Sequence, residues 1–403
     1  MKKKKKILVI CEVFFPEEFL INDLVSEWIE EGYELEILTR VPSYPYGKAY
    51  EGYRNRIYQK DRYKGVTVHR VGFVGGYRES LTKKILNYIL FIVLGSVVAL
   101  SVGRRFSKLF IYHTGPLTLA IPGIVAKKIY RIETSIWTQD LWPDTVYAYG
   151  FRKTRVMNFF LSHFVRYIYK NCDTIFVTCS GFSKRIQEYV PGKKITTAPN
   201  WPITSRVDIP EELEKIELPD GFNFTFTGNV GKVQNLENVI LGFERFYRLH
   251  TGVYLNIVGD GSNLDDLKQL VSENNIEGVK FWGRYPVYTM PDFYAQSDVL
   301  ILSLNESPIY RSTIPLKFQT YLTAGKPIFG IINGDVASLI EDNGIGYVAN
   351  PGNIKNIADA FRYFLSQDER VKYSIRIKSH KLLQKQFNRK KIIKNISGRV
   401  GLQ

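Results

Sequence analysis

Cysteine is scarce in this chain. The three residues present, Cys11, Cys172 and Cys179, fall at no spacing that a disulfide framework or a zinc site would use. Three reduced, buried thiols are expected. No long apolar stretch follows the N-terminal lysines; they run straight into a strand-like segment at 7–10, which argues against a secretory leader. There is no convincing Asp-x-Asp pair of the kind that would call for a divalent metal. No nucleic-acid reader motif accompanies the basic charge, so nucleic acid is set aside as a partner. Acidic residues are missing altogether from 370–403.

What is present is apolar bulk and positive charge. At 403 residues, 45% hydrophobic and 23% charged, the chain has enough apolar material for two globular domains of ordinary size. The formal net charge of +16 is uneven: +14 over 1–200, −9 over 201–369 and +11 over 370–403. Such asymmetry points to a partner with negative charge on one face, an anionic membrane surface or a diphosphate-linked lipid. In the tail, Val371, Ile375, Leu382, Leu383, Ile392, Ile393 and Ile396 recur at helical intervals. One basic helix is expected there, packing back towards the N-terminal domain.

The stretch 85–103 contains no charged residue and is flanked by Lys83-Lys84 and Arg104-Arg105. Its length reaches the threshold for a membrane span. Strand-like runs on both sides, 66–71 and 109–113, would belong to one sheet, and a spanning helix would separate them. A helix lying on or dipping into the membrane surface, with the segment 83–105 as its unit, fits the flanking cations; a buried core helix and a true span are the alternatives.

Strand-like runs at 6–13, 34–39, 66–71, 109–113, 135–139 and 174–178 alternate with helical patterns such as 19–31. A second series follows at 222–227, 254–258, 279–282, 299–304 and 327–332, with helices at 236–249, 264–274 and 354–365. This alternation is that of α/β domains, each a Rossmann-like, doubly wound parallel sheet. The domains are expected at 1–200 and 201–369, joined by a Pro-rich linker near 199–219, with the basic tail at 370–403.

The most informative segment reads S-T-I-P-L-K-F-Q-T-Y-L-T-A-G-K-P-I-F-G from Ser312 to Gly330. Pro315 suits the first turn of a helix, Gly325 its C-cap, and Pro327 forbids continuation. Lys317 and Gln319 lie in the first turn, where free N–H groups and the helix dipole favour an anion. Upstream, one strand ends in T-G-N-V-G-K, the next in Gly259-Asp260-Gly261, and a third in Gly283-Arg284-Tyr285. In an open parallel sheet all these loops converge outside the carboxyl ends of the strands.

In order and in wording these motifs resemble those of family 4 retaining glycosyltransferases. The resemblance is to the bacterial branch building surface polysaccharide (O-antigen, capsule or exopolysaccharide) on a lipid carrier, and within it to the WbuB-like group. It implies a GT-B architecture, two Rossmann-like domains facing a central cleft. It also implies that Gly228, Asn229 and Lys232 face the donor diphosphate, and that Gly259, Gly261, Gly283, Arg284 and Tyr285 line the base and ribose. Lys317, behind Pro315, would reach the phosphates and Gln319 the ribose hydroxyls. In the N-terminal half, F-F-P-E-E-F, H-T-G-P-L and T-Q-D-L-W-P-D place Pro16, Glu17, Thr114 and Trp142 on the acceptor side. Asp140 is the candidate for orienting or deprotonating the acceptor hydroxyl, with His113 as the second.

One departure stands out. The family carries two glutamates eight positions apart at the donor site, and the matching positions here hold Arg311 and Gln319. Glu306 is a possible substitute, and an acidic donor sugar another explanation. The resemblance implies a nucleoside-diphosphate sugar, UDP-linked, as donor and a polyprenyl-diphosphate-linked saccharide as acceptor. It further implies a hexosyl- or N-acetylhexosaminyl-type transfer, no cofactor, no obligatory metal, and a peripheral place on the cytoplasmic face of the bacterial plasma (inner) membrane. A nucleotide-sugar 2-epimerase and a catalytically silent partner in polysaccharide assembly are the alternatives.

Overall fold

The computed structural model describes residues 5–77, 79–148, 152–203, 216–308 and 310–402. The chain divides into two compact units, Met1–Pro199 with Lys390–Gln403, and Asn200–Arg389. Of the expected linker at 199–219, residues 204–215 lie outside the described residues.

The first unit is built on β1 (Lys6–Cys11), β2 (Glu34–Arg40), β3 (Tyr58–Tyr63), β4 (Val66–Val71), β5 (Lys108–His113), β6 (Glu133–Thr138), β7 (Thr174–Val177) and β8 (Ile195–Thr197). They form one sheet in the order β3-β4-β2-β1-β5-β6-β7-β8, parallel except for the β3–β4 pair. Ile7 to Cys11 are wholly buried, as a central strand covered on both faces requires. From β1 the chain winds to one side and then, through helix Leu81–Gly103, returns to β5 on the other. The topological switch point therefore lies between β1 and β5.

The second unit contains β9 (Phe222–Thr227), β10 (Val253–Val258), β11 (Val279–Gly283), β12 (Val299–Ser303), β13 (Ile328–Ile331) and β14 (Gly346–Ala349). All run parallel in the order β11-β10-β9-β12-β13-β14, with the switch between β9 and β12. One face of this sheet is filled by aromatic packing: Phe224, Phe243, Phe246, Phe329, Phe361 and Phe364. Leu300, Leu302, Phe318, Tyr321 and Leu322 fill the other.

Three strands escaped the sequence reading. β3, Y-Q-K-D-R-Y, is a charged edge strand with an alternating exposed pattern, and β8 and β14 are three and four residues long. The tail is also not one helix. Glu369–Gln386 packs in the second unit, where Phe387 meets Phe318 at 5.9 Å. Arg389–Val400 packs in the first, burying Ile392, Ile393, Ile396 and Val400.

Helix Leu81–Gly103 shows two apolar faces. Asn87, Phe91, Gly95, Val98, Ala99, Val102 and Gly103 are buried, against helix Ile121–Tyr130. Leu81, Ile85, Leu86, Ile89, Val93 and Val97 are exposed.

The last helix is fastened by one buried bond: Trp28 Nε1, wholly enclosed, donates to Ser397 Oγ at 2.8 Å. Ser397→Ala leaves that donor without a partner. Thermal or urea unfolding of this variant should show a loss of about 1–3 kcal/mol. An unchanged unfolding curve would mean that this bond adds nothing to the stability of the first unit.

Candidate functional site

In the second unit the switch point between β9 and β12 is where the predicted donor residues meet. Gly228 N donates to Val258 O at 2.9 Å, Val230 N to Asp260 O at 2.9 Å, and Gly259 N to Gly283 O at 2.7 Å. The loops after β9, β10 and β11 are thus sewn together through their backbones. Gly259 has a φ of +146°, and a Cβ there would collide with the carbonyl oxygen of Gly228. Gly261 is equally tight against Val230. Only glycine permits this closeness.

Lys317 completes the group. Helix Leu316–Ala324 follows β12 and carries Lys317 across the switch point. Its Nζ lies 3.8 Å from the centroid of the Phe226 ring, donates to Gln234 Oε1 at 3.0 Å, and would stand 3.3 Å from a Cβ on Gly228. Burial holds its pKa down at about 7. No carboxylate within salt-bridge reach of Lys317 is found among the described residues. A half-buried ammonium faced, among the described residues, by an amide, a ring and a glycine backbone is a site short of one anion.

The remaining donor candidates line the same edge. Asn229 and Lys232 are exposed beside Gly231, Arg284 is exposed after Gly283, and Tyr285 packs edge-on against Phe293 at 5.1 Å. Pro315 occupies the N-cap, one residue before the helix, and Gly325 takes the left-handed C-cap as expected.

Gln319 departs from expectation. It is 1% exposed, and its amide nitrogen donates to Pro315 O at 2.8 Å and Leu316 O at 3.0 Å. The side chain is spent on the start of its own helix instead of being offered to a ribose. Arg311 lines a small cleft at the ends of β12 and β13 with Asn305, Glu306, Ser307, Tyr310 and Asn333. Glu306 Oε1 accepts there from Asn333 Nδ2 at 3.0 Å. Among the described residues no cluster of three or more metal-ligating side chains occurs.

In the first unit, Pro16, Thr114, Asp140 and Trp142 all lie on loops following β1, β5 and β6, three neighbouring strands, and so share one carboxyl edge. Asp140 Oδ2 accepts from Gly115 N. Burial, with the nearby Glu12 carboxylate as a lesser cause, raises its pKa. His113 is fully enclosed, and its Nε2 lies 3.2 Å from Gly115 O. Burial pushes its pKa down to about 3, so at neutral pH it is an uncharged hydrogen-bonding group and a poor base.

Glu17 is a fastener instead of a ligand contact. Its Oε1 accepts from Ser43 N at 2.8 Å and Tyr44 N at 2.7 Å, and its Oε2 from Phe14 N at 3.1 Å. Both oxygens are thereby committed to holding the loops after β1 and β2. Arg70 does similar work: it pairs with Asp61 at 2.9 Å and donates to Phe15 O at 2.7 Å. Sequence reasoning missed Arg70, Gln234 and Glu12. Only for Glu12 was there a signal, a carboxylate directly after a wholly apolar strand.

Residues 208–380 match the family described as Glycosyl transferases group 1. The probable glycosyltransferase WbjE of Pseudomonas aeruginosa is 22% identical over 265 residues, 64% of this chain and 66% of that protein. The putative colanic acid biosynthesis glycosyl transferase WcaI of Escherichia coli is 24% identical over 79% of this chain and 81% of its own length. Among solved structures, the sucrose-phosphate synthase of Thermosynechococcus elongatus aligns over 98% of both chains with a TM-score of 0.69 at 14% identity. HepE of Anabaena, solved with UDP, aligns over 99% of this chain and all of its own, with a TM-score of 0.67 at 12% identity. The chain thus has the GT-B fold, and most of its second unit matches the glycosyltransferase group 1 family.

Proposed function

We propose that the chain is a retaining glycosyltransferase of family 4 acting in surface-polysaccharide synthesis. It moves a sugar from a nucleoside-diphosphate sugar, UDP-linked, to a polyprenyl-diphosphate-linked saccharide at the cytoplasmic face of the membrane. Lys317 carries this reading: a half-buried cation with no counter-ion among the described residues, at the switch point of the domain that matches the glycosyltransferase family. The similarity to WbjE, a probable glycosyltransferase, and to WcaI, a putative colanic acid biosynthesis glycosyl transferase, and the UDP bound by HepE support it.

Breaking the anomeric C–O bond leaves negative charge on the diphosphate. Lys317, Lys232 and the amides of the Gly228–Gly231 loop supply preorganised positive potential there, so the reading invokes no metal. The acceptor hydroxyl attacks from the face the diphosphate leaves, and retention follows. Asp140, with its raised pKa, orients or deprotonates that hydroxyl. His113, uncharged, can only orient.

A thermal-shift screen against UDP, GDP, dTDP, CMP and their common sugars tests the donor site without knowledge of the acceptor. One nucleoside diphosphate should stabilise the protein, and Lys317→Met should abolish the shift and cost about 100-fold or more in transfer. Absence of any shift in folded protein would overturn the reading, as would epimerised nucleotide-sugar as product.

The pH dependence has a definite sign. Free Lys317 titrates at about 7, below its ordinary value, and a bound diphosphate raises it. Affinity for a nucleotide sugar should be full below roughly pH 7 and fall by up to about tenfold per unit above it. Calorimetric titration of the nucleotide sugar across this range checks it.

The membrane contact is assigned to the exposed stripe Ile85, Ile89, Val93 and Val97 with its flanking Lys83, Lys84, Arg104 and Arg105. Three successive crossovers step the same way along the sheet, so right-handedness puts helices 81–103, 121–130 and 155–171 on one face. Exposed Ile129, Val156, Phe159 and Phe160 widen the apolar area there. Val93→Asp with Val97→Asp should release the protein from vesicles containing anionic lipid in a flotation assay. Unchanged flotation would exclude this face. Phe91 and Val98 are unsuitable positions, because both are buried.

A further inference from the structure

The switch point of the first unit, between β1 and β5, holds side chains that the proposed mechanism leaves unused. Glu12 follows β1 directly, and Gly115 lies two residues beyond β5. A ligand is expected at such a point in an open parallel sheet. Arg40, at the end of β2 and 3% exposed, holds Glu12 from one side: its Nη2 is 2.8 Å from Glu12 Oε1. The Tyr77 ring covers the guanidinium, 5.1 Å from its carbon. Arg40 Nε and Nη1 are enclosed and have no partner among the described residues.

On the other side stands Gly115, with a φ of +71° and no side chain. A Cβ there would meet Glu12 Oε2 at 3.3 Å. Its N–H is bonded to Asp140, and its carbonyl meets His113 Nε2, while His113 Nδ1 has no partner. Two carboxylates and a neutral imidazole therefore converge on a position where glycine leaves room.

Here two guanidinium nitrogens are left over, and Glu12 Oε2 has no hydrogen-bonding role within the described residues. Paired, partly desolvated carboxylates are costly, and Arg40 offsets only one. Hydroxyl groups both donate and accept, so a polyhydroxyl ligand satisfies carboxylates and guanidinium together.

We propose that Glu12 is a second acceptor-side binding residue, which with Asp140 holds two hydroxyls of the acceptor sugar across Gly115, its carboxylate fixed by Arg40. The assignment rests on the glycosyl-transfer function proposed above. Glu12 also bears on the protonation of Asp140. The groups facing it are Arg40 from β2, Lys84 from helix 81–103, Cys11 on β1 and Asp140 itself. Its negative charge raises the pKa of Asp140, so removing it lowers that pKa and moves the acid limb of kcat/KM to lower pH.

The test uses the full-length protein, the nucleotide sugar identified by thermal shift, and a panel of farnesyl-diphosphate-linked monosaccharides as acceptors. In Glu12→Gln the acceptor KM should rise about tenfold or more with a smaller change in kcat. The acid limb should shift to lower pH, and the nucleotide-induced thermal shift should persist. Glu12→Asp, which keeps the charge for Arg40 and withdraws the carboxylate by one methylene, should recover part of the affinity. Gly115→Ala, which fills the space, should raise KM without moving the pH limb; these two carry the test if Glu12→Gln does not fold. An acceptor KM within about twofold of wild type, or a loss of nucleotide response equal to the loss of acceptor affinity, overturns the proposal. If wild-type protein transfers sugar normally and Glu12→Gln matches it, this inference alone fails. If wild type binds nucleotide but transfers to no acceptor, the functional reading fails and this inference with it.

Discussion

Parallel strands cannot be joined by hairpins, and that constraint organises both units. Each crossover returns the chain to the same end of the sheet, so every strand delivers its carboxyl end to one edge. Where the winding reverses, two adjacent strands send their loops apart and leave a gap that only a ligand or a side chain fills. The gap between β9 and β12 receives the glycine loops and Lys317; that between β1 and β5 receives Glu12, Gly115 and Asp140. Neither group is contiguous in sequence, and both follow from the order of the strands.

The two edges carry opposite electrostatics. In the second unit a half-buried ammonium has no carboxylate to meet it among the described residues, a state whose cost shows in its lowered pKa. At the corresponding edge of the first unit, carboxylates gather. Glu17 offsets part of the cost by accepting three backbone N–H bonds, though burial still raises its pKa, and Glu12 is half-relieved by Arg40. Asp140 has one amide. A fold tolerates such unfinished charge where a ligand completes it: diphosphate for the cation, hydroxyls for the carboxylates.

Much of this was legible in the sequence because it depends on local rules. Alternating apolar runs and helical periods marked most of the strands, and Gly325 with Pro327 marked the end of a helix. Glycines after three strands announced close backbone approach. What could not be read depends on which way a side chain turns. Gln319 sits in the right turn of the right helix, yet its amide folds back on Pro315 O. Glu17 lies in the expected loop, yet its carboxylate is consumed by amides from another loop 26 and 27 residues on. Arg40 ends a strand like any basic residue, and its value lies in a partner 28 positions earlier in the chain. Periodicity says nothing about such pairs.

Helix 81–103 shows a further limit, and why its faces can still be told apart. It is apolar all round, so polarity does not separate inside from outside. Size does. The buried side carries Gly95, Ala99 and Gly103 at intervals of four, and a Cβ on Gly95 would meet Pro122 at 3.0 Å, one on Gly103 Tyr130 at 2.9 Å. The exposed side carries Ile85, Ile89, Val93 and Val97 at the same intervals. A water-facing helix on a parallel sheet places its large apolar side chains inward. Here several of them face outward and small residues mark the closest packing. An outer medium that is itself apolar removes the cost of that arrangement, since large aliphatic side chains then lose nothing by facing out. The cations at both ends supply attraction to an anionic surface. The distribution of side-chain volume, more than the hydropathy of the run, therefore supports placing this face against a membrane.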